Sequence, residues 1–336
     1  MTTVLTMRFR FLALSALLAL SMLPAAVSAQ PPAPPPDWTV SLAGRVWVTS
    51  GWSNWNFTSA GIDPASDLRW RGVDGVVGEV AADVVWKRFV WMMSVGGTKL
   101  DQGVLLDEEF AKSDRQGRFS FTRSPVDEGH IFYVNSDVGA RVVKWQTALF
   151  GGPAAPLAGG YVDAFVGYQY WREEYVAFGV QGSLFLPGLI INQTEPSSTK
   201  VLTHQYTRHS IRIGARAQVP LVGGLSLKAL AAFSPWTHTE HDAEQHLQTD
   251  IKPPTISRAN GGFGAQLEAG LAYAVWGGLS AEAGFRYWCF DSGSGDVTTK
   301  SLTSVANTGA GAVGRDKLNE AITERYGPYV GVSWRF

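Results

Sequence analysis

From residue 38 onward the chain alternates between apolar and polar positions. Over 279–290 the odd positions Leu279, Ala281, Ala283, Phe285 and Tyr287 are apolar or aromatic, while the even ones include Ser280, Glu282, Gly284 and Arg286. The stretch 263–273 sets Phe263, Ala265, Leu267, Ala269, Leu271 and Tyr273 against Gln266 and Glu268. Leu225 to Phe233 repeats the pattern with Lys228 on the polar side, and 131–142 does so with Asp137 and Arg141. A period of two marks strands whose two faces meet different surroundings. Many evenly spaced strands with one apolar face and one small or charged face predict an antiparallel transmembrane β-barrel with a wet lumen. A soluble β-sandwich would also hide the apolar face. The aromatics gathered at strand ends (Trp86, Trp91, Trp145 and Trp276) favour the barrel, because such residues anchor strands at lipid interfaces.

Turn signals set the strand count. Short connections are expected at Trp86–Phe89, 151–160, Val219–Gly224 and Trp276–Leu279, and long polar ones near 51–67, 102–129, 180–200, 238–258 and 291–317. Their alternation predicts about ten strands, with short turns on the periplasmic side and long loops outside. A hairpin hidden in a long loop would raise the count to about twelve. No apolar run of transmembrane-helix length follows residue 38. Ahead of the barrel, residues 1–29 read as a secretory signal peptide. Arg8 and Arg10 precede the apolar core Phe11–Leu20, and Val27-Ser28-Ala29 forms a small-residue cleavage site. Residues 30–37 are a stiff proline-rich leader. The barrel domain is therefore expected to span 38–336.

Composition narrows the partners. With 28 Lys+Arg against 29 Asp+Glu, the net charge of -1 leaves no concentrated basic surface for nucleic acid. The 13 Trp, 10 Tyr and 17 Phe carry too much apolar area for a disordered chain. The lone Cys289 excludes a disulfide framework or a multi-cysteine metal cluster, and its apolar parity makes it an inert thiol. Mean hydropathy is -0.01, the average expected of strands with one oily and one wet face.

Two segments carry candidate chemistry. In Leu106-Asp107-Glu108-Glu109-Phe110, alternation turns Asp107 and Glu109 to the same side. In 236–246, Trp236, His238, Glu240, Asp242, Glu244 and His246 share a face. Parity with Lys228 predicts that this face looks into the lumen. A His beside a carboxylate, facing a second carboxylate pair, can activate a water for hydrolysis. Charged residues on solvated loops give the same pattern without chemistry. His238, His241 and His246 with Glu240 offer nitrogen and oxygen ligands, but their loose spacing predicts no metal site.

The final strand, Tyr329 to Phe336, sets Val330, Val332, Trp334 and Phe336 against Gly331, Ser333 and Arg335, and it resembles the closing strand of bacterial outer-membrane proteins. A closer likeness runs from Ser66-Asp67-Leu68-Arg69-Trp70 through Asp74 and Trp86 to Asp107-Glu108-Glu109-Phe110. It continues at Phe233-Ser234-Pro235-Trp236 and Asp242-Ala243-Glu244-Gln245-His246. These segments resemble the omptins, ten-stranded outer-membrane proteases. The resemblance implies a bacterial outer-membrane location and an endopeptidase site at the extracellular mouth for basic peptides or proteins. Asp107 and Glu109 would be its carboxylate pair, Glu244 and His246 its water-activating dyad, and Asp242 a substrate-binding acid. Glu109 and Glu244 stand where the family has Asp, and Trp55 stands near the place of an acidic specificity residue. The resemblance further implies a need for lipopolysaccharide, with no other cofactor, held on the outer wall by Arg172 and Arg208. A non-enzymatic barrel acting as an adhesin, a structural protein or a narrow channel shares the same architecture.

Overall fold

The computed structural model describes residues 38–155, 158–248, 251–301 and 313–336. The expected signal peptide and leader lie outside the described residues. Among these there are thirteen strands: β1 (Trp38–Ser59), β2 (Ile62–Arg71), β3 (Gly75–Trp86), β4 (Phe89–Lys99), β5 (Val104–Lys112), β6 (Gln116–Trp145), β7 (Gly160–Leu186), β8 (Leu189–Val222), β9 (Leu225–Gln245), β10 (Ile251–Trp276), β11 (Leu279–Asp291), β12 (Gly295–Ser301) and β13 (Val313–Arg335). All pair antiparallel in one sheet, and β13 pairs with β1 from Arg335↔Ser41 to Lys317↔Thr58, which closes the ring. Three spans are interrupted once, β2 running into β3, β4 into β5 and β11 into β12, so the thirteen strands make ten spans. Closure leaves no sheet edge to template aggregation.

The short turns fall where the sequence places them, at Lys87–Arg88, Gly223–Gly224 and Gly277–Gly278, with a longer connection after Trp145. The long loops do not. β1 and β2 are joined only by Ala60-Gly61, β5 and β6 by 113–115, and β7 and β8 by Pro187-Gly188. Outside the lipid both faces of a strand are wet, so apolar alternation fades while backbone pairing continues. Gly61 (φ +82°) and Gly188 (φ +73°) supply the left-handed backbone that these tight turns require.

Along the lower half of the barrel the outward side chains are apolar and exposed, among them Val46, Val80, Leu267, Leu271, Phe285 and Val332. Trp86, Trp276 and Trp334 rim this belt below, and Tyr168 and Trp236 rim it above. The lumen is filled. Arg45 reaches Glu79 (3.1 Å) and Glu282 (2.5 Å), Lys228 reaches Glu282 (2.8 Å), and Arg286 reaches Glu79 (2.9 Å) and Glu268 (2.7 Å). Tyr133 Oη donates to Glu79 at 2.5 Å, and Gly96 leaves room for that ring, since a Cβ there would collide with it. Arg212 pairs with Asp137 (3.2 Å), and Arg216 bridges Asp83 (2.6 Å) and Asp163 (3.0 Å). Above this network lies an aromatic layer. Tyr133 stacks on Trp171 at 5.4 Å, and Trp288 meets Trp171 edge-on at 4.5 Å and Trp47 at 5.5 Å. Trp47, Tyr133, Trp171 and Trp288 are buried, and truncating one such ring to Ala costs roughly 3–5 kcal/mol.

Candidate functional site

Above the aromatic layer, beyond the apolar belt, the lumen opens into a cleft of about 680 Å³. Asp107 and Glu109 both line it from β5, as their spacing predicts. Strand pairing sets Leu68 and Thr122 beside Asp107, and Ser66 and Ser120 beside Glu109. Their neighbours Asp67 and Glu108 take the opposite face, where Arg115 meets Asp67 (2.9 Å) and both Arg69 and Arg118 hold Glu108. Asp107 and Glu109 have no ion-pair partner among the described residues. Burial, then Glu109, then Asp67 push the Asp107 carboxyl up to about 7, and burial also raises Glu109.

The facing wall differs from the sequence expectation. β9 takes three steps from Phe233 to Trp236 while β8 takes two from Ile213 to Ile211, so Ser234-Pro235 forms a β-bulge. One extra residue reverses every side chain beyond it. Below the bulge Ser226, Lys228, Ala232 and Ser234 face inward; above it Thr237, Thr239, His241 and Ala243 do. The predicted lumen face therefore points outward. Asp242 lies on the outer wall within the electrostatic reach of Arg172, Arg258, Glu240 and Glu244, and burial followed by Glu240 raises its carboxyl. Glu244 is exposed, and His246 Nε2 lies 2.9 Å from the Thr203 hydroxyl, which pairs across from Glu244 on that same outer face. The four residues Asp107, Glu109, Glu244 and His246 are thus not brought together. The cleft wall at that level carries Ala243 and Gln245. Above the bulge ordinary alternation puts His241 inward and His238 outward, so those histidines do not share a ligand position.

Two histidines absent from the expected site sit at the base of the cleft. His204 from β8 and His241 from β9 are each 1% exposed, with ring centroids 4.4 Å apart. Trp55 packs on both, at 5.8 Å and 5.3 Å, and Tyr206 stacks on His241 at 4.5 Å. His241 Nδ1 contacts the Ser257 hydroxyl at 3.2 Å. Burial holds His204 down to about 3, and burial, His204 and Arg208 hold His241 well below the ordinary imidazole range. Both rings are therefore neutral at physiological pH. His204 was legible as an inward position of β8, in step with Leu202, Tyr206 and Arg208. His241 required the bulge to be seen first, for which Pro235 inside a strand is the signal.

No family model and no curated protein matches the chain. Among solved structures it is similar to the outer membrane protease OmpT from Escherichia coli, with a TM-score of 0.71 at 11% identity, covering 89% of this chain and 97% of that one. The chain shares the closed antiparallel β-barrel fold of that protein. The Ralstonia pickettii toluene transporter TbuX aligns over 88% of this chain and 90% of its own at 9% identity, but with a TM-score of only 0.24. At these identities likeness speaks to fold, not to activity.

The two arginines expected to hold lipopolysaccharide on the outer wall divide. Arg172 points outward and donates to Gln205 Oε1 at 2.5 Å. Arg208 does not reach the outer wall. It is fully buried in the lumen, donating to Glu173 Oε1 (2.7 Å) and to the Thr323 hydroxyl (2.9 Å). Alternation along β8 sends it inward with His204 and Tyr206, and the buried carboxylate of Glu173, which Arg325 also approaches at 3.5 Å, holds it there.

Proposed function

We propose that this outer-membrane barrel binds a cationic ligand in its extracellular cleft and does not hydrolyse peptides through the four-residue omptin-like arrangement. The observation that carries this reading is the bulge at Ser234-Pro235. It leaves Ala243 and Gln245 opposite the carboxylate pair and turns Glu244 and His246 to the outer wall. Neither Ala nor Gln can take a proton from water at neutral pH. The filled lumen argues against a channel, since the ion-pair network and the aromatic layer occupy the bore that a narrow ten-span barrel leaves. Two uncompensated carboxylates favour a cation by direct charge attraction.

One observation supports hydrolysis instead. His204 lines the same cleft as Asp107 and Glu109, which sets an imidazole and two carboxyls around one space. A ring held near 3 is a weak base, which favours binding. The test is a dibasic fluorogenic peptide given to the refolded barrel with lipopolysaccharide, beside the variants His246→Ala, Glu244→Gln and His204→Ala. Peptide retention on the barrel without turnover is expected. Turnover lost in His246→Ala and Glu244→Gln would restore the omptin-like mechanism. Turnover lost only in His204→Ala would assign hydrolysis to the lumen histidine.

A further inference from the structure

We propose that the ligand of the extracellular cleft is an oligosaccharide bearing free amino groups; this identity rests on the reading of the cleft as a binding site. Three cleft residues present buried polar atoms that no protein group satisfies: Asp107 Oδ1, Gln245 Oε1 and His204 Nδ1. The amide oxygen and the ionised carboxylate, the form a bound cation draws out at Asp107, accept hydrogen bonds, and the neutral His204 ring accepts at Nδ1 when its proton sits on Nε2. His204 is 1% exposed and lines the cleft, so the site is more than a patch of acids. Buried acceptors without donors are costly, so a ligand rich in donors is the one that relieves them.

Charge narrows the class. Asp107, Glu109 and Glu195 line the cleft, and no Lys or Arg does among the described residues. A protonated amine is matched to such a wall. The hydrogen-bonding part of the lining is Asn192, Gln193 and Thr194 on the β8 side and Ser66, Ser120 and Thr122 on the other, set among apolar residues such as Leu68, Leu105, Leu184 and Val297. Side-chain amides and hydroxyls of this density match a polyhydroxylated ring. Phe57 and Phe119 add apolar surface on which the C–H face of a sugar can pack.

A basic peptide would satisfy the charge but not the rest. One common way for an extended peptide to gain affinity is to add its backbone to a free strand edge. Around the cleft, β2, β5, β6, β7, β8 and β9 are each paired on both sides. A peptide backbone therefore finds no ladder to join, whereas a sugar needs none.

The experiment titrates the full-length refolded barrel at pH 7 by calorimetry with a glucosamine tetramer, its fully N-acetylated counterpart and tetralysine. The variants are Asp107→Asn, Glu109→Gln and Phe57→Ala, each checked for folding by heat-modifiable gel mobility. The glucosamine tetramer should bind at least about tenfold tighter than the acetylated one, and each carboxylate variant should weaken it about tenfold. Phe57→Ala should weaken the sugar and leave tetralysine unchanged. Equal binding of the acetylated tetramer would overturn the amine assignment. Tetralysine binding as tightly as the sugar, with the same dependence on Asp107, would overturn the sugar while leaving a cation-binding cleft in place. If neither probe binds, both readings fall together.

Discussion

Replacing Asp107 by Asn should make the barrel more stable, and only above acidic pH. The folded state holds this carboxyl near 7, because burial and the nearby Glu109 and Asp67 disfavour its charge. In the unfolded chain it titrates near ~3.9. A carboxyl raised on folding contributes nothing unfavourable while both states are protonated. Stability then falls as pH rises from about 3.9, and levels off once pH passes about 7. At about 1.4 kcal/mol per pH unit, the fully ionised residue costs the fold roughly 4 kcal/mol; solvent screening in an open cleft brings this to about 2–4 kcal/mol. Asn cannot ionise, so the variant should gain that amount at pH 8 and nothing at pH 4. Urea titration of the refolded barrel in phospholipid vesicles, followed by tryptophan fluorescence, measures the difference at both pH values. The same variant should lose the cationic ligand, which is the trade expected where a site retains an unfavourable charge for use. An equal gain at pH 4 and pH 8, or a loss at pH 8, would refute the assignment of an uncompensated carboxylate at Asp107.

Three further outcomes follow from the lumen and the wall. Glu79→Ala removes the shared partner of Arg45, Arg286 and Tyr133, and should cost about 3–5 kcal/mol in the same titration; a loss under about 1 kcal/mol would mean that Glu268 and Glu282 carry those arginines alone. Arg208→Ala should destabilise by a similar amount without changing lipopolysaccharide affinity, whereas Arg172→Ala should weaken lipopolysaccharide binding and leave stability within about 0.5 kcal/mol. Deleting Pro235 should undo the reversal on β9, so that in a Cys289→Ser background a Glu244→Cys side chain, reactive to bulky maleimide in the intact chain, becomes protected; unchanged labelling would show that the outer face does not depend on the bulge.

How much of this was legible depends on which side of the lipid a residue lies. Within the apolar belt, one face must be oily and the other wet, so Leu267, Leu271, Phe285 and Val332 announce their strands and Glu79, Glu268, Glu282 and Arg286 announce the lumen. The count of about ten spans comes from the short turns between those strands and the long polar stretches that alternate with them. Beyond the belt the contrast vanishes. Residues 102–129 look like a loop because both faces are polar, yet β5 and β6 pair through them and carry Asp107 and Glu109 on a rigid wall. Parity survived at β5, where Asp107 and Glu109 keep the face expected of them. It failed at β9, where Lys228 and Asp242 have the same numerical parity but opposite faces.

That failure shows where specificity resides in such a fold. A barrel tolerates a bulge at the upper edge of the lipid belt because the strands above it need only pair, not match a membrane. On the other side of β9 the register also slips between Asn260 and Gly262, and Gly261 adopts φ +92°, so β10 absorbs the insertion without losing its pairing. One residue thereby exchanges the whole wall of the cleft, putting His241, Ala243 and Gln245 where Asp242 and Glu244 would have stood. The carboxylates of β5 are then left facing amides and neutral rings rather than a base. The proposed preference for binding over cleavage therefore rests on one residue of insertion: with Ala243 and Gln245 on that wall, the bases that the omptin-like arrangement requires stand on the other face of β9. His204 is left as the one cleft imidazole among the described residues, and its loss is what the turnover assay has to test.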